Sequence, residues 1–263
     1  MRFTKMQGLG NDYLYVYGCV PENVAELSRR LSDRHFGVGS DGMIFITPSS
    51  VADFAMRIFN ADGSEAAMCG NGIRCVGKYV YDRKHTQKTE LSIETRSGVR
   101  RLKLRAEGGT VRRATVDMGT ATVFGERVLD IGNGTVSCVS VSVGNPHAVI
   151  FVDDAEAARV AEIGPLVETH PRFPGGVNVE FVQILSDRSL RMRVWERGSG
   201  ITMACGTGAS ASAAAAAQCG YCRYGEPIEV RLDGGILNVT VSKDHTLTME
   251  GPAETVFEGE VEE

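Results

Sequence analysis

The sequence contains no run approaching the roughly 18 consecutive apolar residues that a membrane-spanning helix needs, so no membrane partner is expected. Met1 to Asn11 has no apolar signal core, and a cytoplasmic protein is the expectation. No Pro- or Ser-rich stretch stands out as a domain linker. Basic residues are in the minority, 28 Lys and Arg against 33 Asp and Glu, and the net charge of −5 speaks against nucleic acid as a partner. Cysteine is too sparse for a disulfide scaffold. There are seven, at positions 19, 69, 75, 138, 205, 219 and 222, and the odd number points to free thiols. What remains is the balance of a folded globular chain, 43% apolar and 23% charged over 263 residues, which allows one large domain or two. Glycine is the residue in surplus: 31 copies, against about 7% in average usage, gathered in short clusters.

The opening reads as strand, turn, strand: Arg2 to Met6, the turn Gly8-Leu9-Gly10-Asn11-Asp12, then Tyr13 to Tyr17. Pro21 is placed to start a helix whose Val24, Leu27 and Leu31 share one face. Strands are predicted at Met43 to Thr47 and Ala55 to Phe59, a helix after Cys69-Gly70-Asn71-Gly72, and alternating strands over residues 91 to 118. The second half repeats this order. Gly144-Asn145-Pro146-His147 leads into Ala148 to Val152, a helix is predicted from about Asp154 to Val167, and strands at Val177 to Ile184 and Ser189 to Trp195. Cys205-Gly206-Thr207-Gly208 then opens a helix of small residues, Ala209 to Ala217, before strands at Ile228 to Leu232 and Ile236 to Val241.

The two halves align without gaps over their central landmarks. Met56 to Asn60 falls on Met192 to Glu196, and Cys69-Gly70-Asn71-Gly72 on Cys205-Gly206-Thr207-Gly208, both at an offset of 136. Phe36, Gly39 and Asp41 fall on Phe173, Gly176 and Asn178 at 137, and Gly10-Asn11 on Gly144-Asn145 at 134. We read two homologous half-domains joined near residue 115, residues 1–115 carrying Cys69 and 116–250 carrying Cys205.

A cysteine at a helix start feels the positive end of the helix dipole and unpaired N–H groups, which stabilise a thiolate and lower the thiol pKa. The two glycines of each motif allow close backbone approach, and N–H groups at a helix start favour a carboxylate or phosphate. Two such thiols facing each other across a pseudo-two-fold cleft would suit inversion at a carbon beside a carboxylate: one thiolate takes a proton from one face, the opposite thiol delivers one to the other. This scheme needs no metal and no pyridoxal group. The bland reading of either cysteine alone is a buried small apolar residue. Their occurrence at equivalent repeat positions argues against it.

Gly37-Val38-Gly39-Ser40-Asp41-Gly42 fits the dinucleotide fingerprint in letters but follows a helix and precedes a strand, the reverse of what that fingerprint needs. Gly206-Thr207-Gly208-Ala209-Ser210-Ala211 does open a helix, with Glu226 or Glu229 near the distance for a ribose contact, so a nicotinamide-dependent oxidoreductase is the alternative of a different class. The repeat weakens it, because Cys75 stands where the last small residue belongs. A non-catalytic small-molecule binding module would keep the glycines and need neither cysteine. Cys219-Gly220-Tyr221-Cys222 lies after a helix, where the dipole disfavours a thiolate, and without a second such pair it reads as incidental. His147 follows a Gly-Asn-Pro turn suited to a cleft lip, against the commoner structural role of a lone His. Glu196 and Arg197 adjoin the glycine loop leading to Cys205, against a plain solvated pair.

Six segments stand out together: Met6-Gln7-Gly8-Leu9-Gly10-Asn11-Asp12, Arg57 to Glu65, Cys69-Gly70-Asn71-Gly72-Ile73-Arg74, Gly144-Asn145-Pro146-His147, Val177-Asn178-Val179 and Glu196 to Gly208. Through them the chain resembles the diaminopimelate epimerases over essentially its full length. The resemblance implies an α+β fold of two pseudo-symmetric half-domains, each a strongly curved, mostly antiparallel sheet wrapped around a central helix, with residues 251–263 returning to the first. It implies interconversion of LL- and meso-diaminopimelate without a cofactor, on the route to lysine and peptidoglycan. Cys69 and Cys205 are then the two acid/base residues, and Gly70, Asn71, Gly206 and Thr207 hold the carboxylate at the reacting carbon. Asn11, Asn60, Asn145, Asn178, Glu196 and Arg197 line the pocket and read the distal amino-acid group, since a zwitterionic end needs both charge pairing and amide hydrogen bonds. His147 and Glu196 are candidates for tuning catalysis. One departure is Gly42, where some members carry a Gln that contacts substrate. Cofactor-independent racemases of proline, hydroxyproline or other amino acids share the two-thiol mechanism and are the nearer alternative. A homodimer is the expected form of any assembly.

Overall fold

A computed structural model of the chain describes residues 1–132 and 134–262. Asn133 and Glu263, which the expected half-domains include, lie outside the described residues. The chain divides into two compact units, Met1–Asp117 with Gly251–Glu263, and Met118–Glu250. The first contains β1 (Arg2–Gly8), β2 (Asn11–Tyr17), α1 (Val24–Ser32), β3 (Gly42–Thr47), β4 (Phe54–Asn60), the short β5 (Glu65–Ala66), α2 (Gly70–Asp82), β6 (Glu90–Thr95), β7 (Gly98–Glu107) and most of β8 (Thr110–Thr120). The second contains β9 (Thr122–Asp130), β10 (Thr135–Ser142), β11 (Pro146–Phe151), α3 (Val160–Glu168), β12 (Asn178–Ser186), β13 (Ser189–Glu196), the short β14 (Gly200–Ile201), α4 (Gly206–Gln218), β15 (Pro227–Leu232), β16 (Gly235–Val241) and most of β17 (Thr246–Pro252). The last strand, β18 (Glu254–Glu260), belongs to the first unit.

Strand pairing makes the repeat physical. In the first unit the order is β18-β1-β2-β3-β4-β6-β7-β8, with β5 hung on β4. In the second it is β9-β10-β11-β12-β13-β15-β16-β17, with β14 on β13. Each pairing in one unit has a counterpart of the same sense in the other: β2·β3 and β4·β6 are parallel, as are β11·β12 and β13·β15, and the rest are antiparallel. The ladders also correct one landmark. Met43 pairs with Leu14 and Phe59 where Val179 pairs with Ala148 and Trp195, so the offset across β3 and β12 is 136 and Asn178 is the counterpart of Gly42 rather than Asp41. The loops into β3 and β12, residues 33–41 and 169–177, are equal in length.

The middle helix of each unit is enclosed. In α4 all residues except Thr207 and Gln218 are buried, and the helix packs on β9 to β13, β15 and β16. A helix clad in Ala has no wide polar face to turn to water, and its thin side chains let strands approach from all sides. Its two serines return their hydroxyls to the helix, Ser210 to the Gly206 carbonyl at 2.9 Å and Ser212 to Gly208 at 2.8 Å, so no buried donor is stranded. Helix α2 is larger-sided, and Gly77 leaves room for Leu102 and Leu104 from β7: a Cβ there would lie 2.8 Å from Leu104 Cδ2.

Two helix starts differ from expectation. The first helix begins at Val24, with Pro21 in the preceding turn accepting from the Val24 N–H at 3.2 Å. The third begins at Val160, because Asp154 Oδ1 accepts from the N–H of Glu156 at 2.8 Å and holds the chain in an Asx turn. Among the described residues no helix is long and apolar enough to cross a membrane.

Candidate functional site

Cys69 and Cys205 are the N-cap residues of α2 and α4, both extended, at φ −137° and −121°. In each case Sγ accepts from the backbone N–H three residues on, Gly72 or Gly208, at 3.3 Å, the bond a capping Ser makes through oxygen. The second glycine of each motif has a packing reason. A Cβ on Gly72 would lie 2.7 Å from Ile44 Cδ1, and one on Gly208 would lie 2.7 Å from Glu180 Oε1. These glycines therefore make room for β3 and β12.

Around Cys69 the thiol donates to Asn11 Oδ1 at 3.3 Å, and Asn11 Nδ2 donates to Asp41 Oδ2 at 2.7 Å. Asp41 also accepts from the Asp12 N–H at 3.0 Å and from Arg34 at 2.9 Å, so a clamped carboxylate determines which end of the Asn11 amide faces sulfur. Asn71 is buried and accepts from Arg74 Nη2 at 3.0 Å, while Arg74 Nη1 and Nε bond the carbonyls of Gly70 and Pro252. Tyr13 is buried nearby, and burial together with negative charge at Cys69 pushes its phenol well above the usual range. Asn60 ends β4 and donates to Ser64 Oγ at 3.1 Å, directly across the ladder from Gly42. Gly42 has φ +152°, and a Cβ there would lie 2.1 Å from the Phe59 carbonyl oxygen. No side chain can stand at that position with this backbone.

Around Cys205 the surroundings are acidic. Thr207 Oγ1 lies 3.5 Å from Sγ and accepts from Asn145 Nδ2 at 3.3 Å. Asn145 Oδ1 lies 3.1 Å from His147 Nε2, and His147 Nδ1 lies 2.7 Å from Glu180 Oε1. Glu196 accepts from the Thr202 hydroxyl at 2.5 Å. Burial raises the Glu196 carboxyl above the usual range, against opposing hydrogen bonds from Thr202 and Cys205. Asn178 Oδ1 accepts from the Arg197 N–H at 3.0 Å, and Arg197 Nη1 donates to the Gly175 carbonyl at 3.0 Å. The exposed Arg197 also lines an open cavity of about 400 Å³ with His170, Phe173 and Pro174.

The structure thus gathers Asn11, Gly70 and Asn71 at Cys69, and Asn145, His147, Glu196, Gly206 and Thr207 at Cys205. Asn178 and Arg197 bond each other beside Glu196, and Asn60 bonds within its own turn. One expectation is overturned. The helix start was expected to lower the thiol pKa, but Cys205 is raised well above 9, because its burial and the charges of Glu196 and Glu180 outweigh the Thr207 and Gly208 hydrogen bonds. Asp41 and Glu180 escaped the sequence reading. Glu180 lies in an apolar strand run where only the β11·β12 ladder reveals its contact with His147, 33 residues away.

The family model described as diaminopimelate epimerase matches residues 3–124 and 132–256. The chain is similar to the diaminopimelate epimerase of Methanococcus maripaludis strain C5, 49% identical over all of this chain and all of the relative. It is similar to that of Phocaeicola vulgatus, 49% identical over all of this chain and 98% of the relative. Among solved structures, a probable proline racemase from Agrobacterium radiobacter K84 superposes with a TM-score of 0.78 at 20% identity, covering 99% of this chain and 92% of that one. A phenazine biosynthesis protein of Bacillus anthracis gives 0.78 at 18% identity, covering 99% and 98%. At these identities the likeness is one of fold.

Proposed function

Because the chain belongs to the diaminopimelate epimerase family, we propose that it is a cofactor-independent two-base epimerase interconverting LL- and meso-2,6-diaminopimelate, in lysine and peptidoglycan precursor biosynthesis. The observation that carries this reading is the pair of N-capping thiols, Cys69 and Cys205, one at the same place in each repeat. Membership in the family sets aside the nicotinamide-dependent alternative.

In the resting site one sulfur is a thiolate and the other a thiol. The thiolate takes the Cα proton, the C–H electron pair spreads into the adjoining carboxylate, and the other thiol gives its proton to the opposite face of the carbon. Product leaves with the two sulfurs in exchanged protonation states, and the pair titrates as a coupled system. Gly70, Asn71, Gly206 and Thr207, at the first turns of α2 and α4, hold the carboxylate, where backbone N–H groups stabilise the charge that develops. Asn11, Asn60, Asn145, Asn178, Glu196 and Arg197 bind the substrate, with the guanidinium and amides reading its distal end. His147 and Glu196 tune the chemistry at Cys205. The chain works in the cytoplasm, without nucleic acid or membrane, and assembles as a homodimer.

Turnover of LL-diaminopimelate in D2O tests the reading. Deuterium should enter at the inverted carbon without added cofactor; no exchange with any diaminopimelate isomer overturns it. Comparison with proline and hydroxyproline separates the proposed substrate from those of related racemases.

A further inference from the structure

The repeat supplies an internal control for every buried residue, and at one position the two units differ in a way that packing does not require. Ile44 of β3 fills the space against Gly72, and its counterpart Glu180 of β12 fills the same space against Gly208. The residue that reaches Glu180 is His147 of β11, whose counterpart in β2, one residue before the Leu14–Met43 pair, is Tyr13. Glu180 is 0% exposed, as is His147, and Glu180 Oε2 has no hydrogen-bond partner among the described residues. An apolar side chain serves the fold here, as Ile44 demonstrates, and a buried charge replaced by an apolar group is often neutral or stabilising. A carboxylate retained in that place calls for a chemical reason.

The contacts supply it. From Glu180 a continuous chain runs through His147, Asn145 and Thr207 to the Cys205 sulfur, at 2.7, 3.1, 3.3 and 3.5 Å. Each link has a direction. With Glu180 Oε1 accepting at Nδ1 and Asn145 Oδ1 accepting at Nε2, the ring carries a hydrogen on each nitrogen, an imidazolium balanced by the Glu180 carboxylate, and the carbonyl end of the Asn145 amide faces it. The amide nitrogen then donates to Thr207 Oγ1, whose own hydrogen is left to point at sulfur. Reversing the amide would turn its carbonyl toward Thr207 and draw that hydrogen away from Cys205. We propose that Glu180 is a positioning residue for the epimerase reaction, fixing the polarity of this hydrogen-bond chain so that the Thr207 hydroxyl donates to the Cys205 sulfur.

This rests on the epimerase reading, and two measurements keep the ideas apart. In Glu180→Gln the carboxamide can donate or accept, so the direction of the chain is no longer imposed. We expect kcat to fall about tenfold to a hundredfold, as for other outer-shell partners, with KM changed less than about twofold and Glu180→Asp recovering part of the loss. In a His147→Asn background Glu180→Gln should add less than about twofold, because the link is already cut. Wild-type kcat in Glu180→Gln, or losses that multiply with that of His147→Asn, overturn the proposal. Independently, the 15N spectrum of the His147 ring in the wild-type chain should show both ring nitrogens protonated, and its pattern should change in Glu180→Gln. A wild-type ring that lacks a proton on either nitrogen, or a pattern unmoved by the substitution, overturns the proposal whatever the substrate. Absence of wild-type turnover of diaminopimelate defeats the functional reading alone.

Discussion

Cys69 and Cys205 share a helix position and a capping bond, yet the residues beside them differ in charge. At Cys205 burial raises the thiol first, and the charges of Glu196 and Glu180 raise it further. Removing one of those charges must lower it. Glu196→Gln is therefore expected to increase the rate at which iodoacetamide modifies Cys205 at pH 8, since each unit by which the thiol pKa falls is about tenfold in thiolate fraction. Site-resolved mass spectrometry would read the rate, and one that stays level or drops contradicts the charge argument. Loss of either sulfur has a larger functional consequence. Cys69→Ala and Cys205→Ala should each lower turnover about 10²- to 10⁴-fold, the usual worth of a positioned acid or base. The missing cap should cost each helix only about 0.5–2 kcal/mol. A single variant with near-native turnover is incompatible with two-base inversion.

Helix α4 displays a packing constraint that follows from its side chains. Ala209 to Ala217 are buried without exception, between strands on several sides, so no direction is open for a larger group. Ala214→Leu is expected to destabilise the protein by about 1–3 kcal/mol through overpacking, as a lower urea midpoint with little change in slope; an unchanged midpoint would show a void at that site. This element was readable in the sequence as a run of small residues after Cys205-Gly206-Thr207-Gly208, and so was α2 through Ile73, Val76 and Val80. Strands β9 and β10 were not. Residues 122 to 142 carry polar side chains at many positions, and their place depends on the β9·β10 and β10·β11 ladders. The starts of α1 and α3 were misplaced for a local reason, since Pro21 and Asp154 each make a turn ahead of the helix. At the site, the capping cysteines and their glycines were evident from spacing. Glu180 and Asp41 were hidden because their work is done on residues distant in sequence, through ladder register and side-chain orientation.

At the scale of the whole molecule, the first unit is closed by both ends of the chain. Strand β18 pairs along β1 from Arg2 opposite Glu260 to Gln7 opposite Glu254, and Phe257 meets Phe3 edge-on with centroids 5.9 Å apart. Arg74, behind the first turn of α2, uses the carbonyl of Pro252 as the acceptor for Nε at 3.0 Å. Deleting residues 251–263 would leave β1 as an unpaired edge, expose the Phe3 ring, and strand a buried guanidinium donor at about 1–3 kcal/mol for that group alone. These effects fall on β1, which pairs with the strand that carries Asn11, and on α2, which Cys69 caps, so turnover should decline with stability. In hydrogen exchange, protection should be lost in Arg2–Gly8 and the first turn of α2 and persist in α4 and in β10 to β13, whose ladders contain no residue from the deleted segment. Uniform loss across both units would mean that the two unfold as one cooperative body. Undiminished protection of β1 would mean that β18 contributes nothing to closing the first unit.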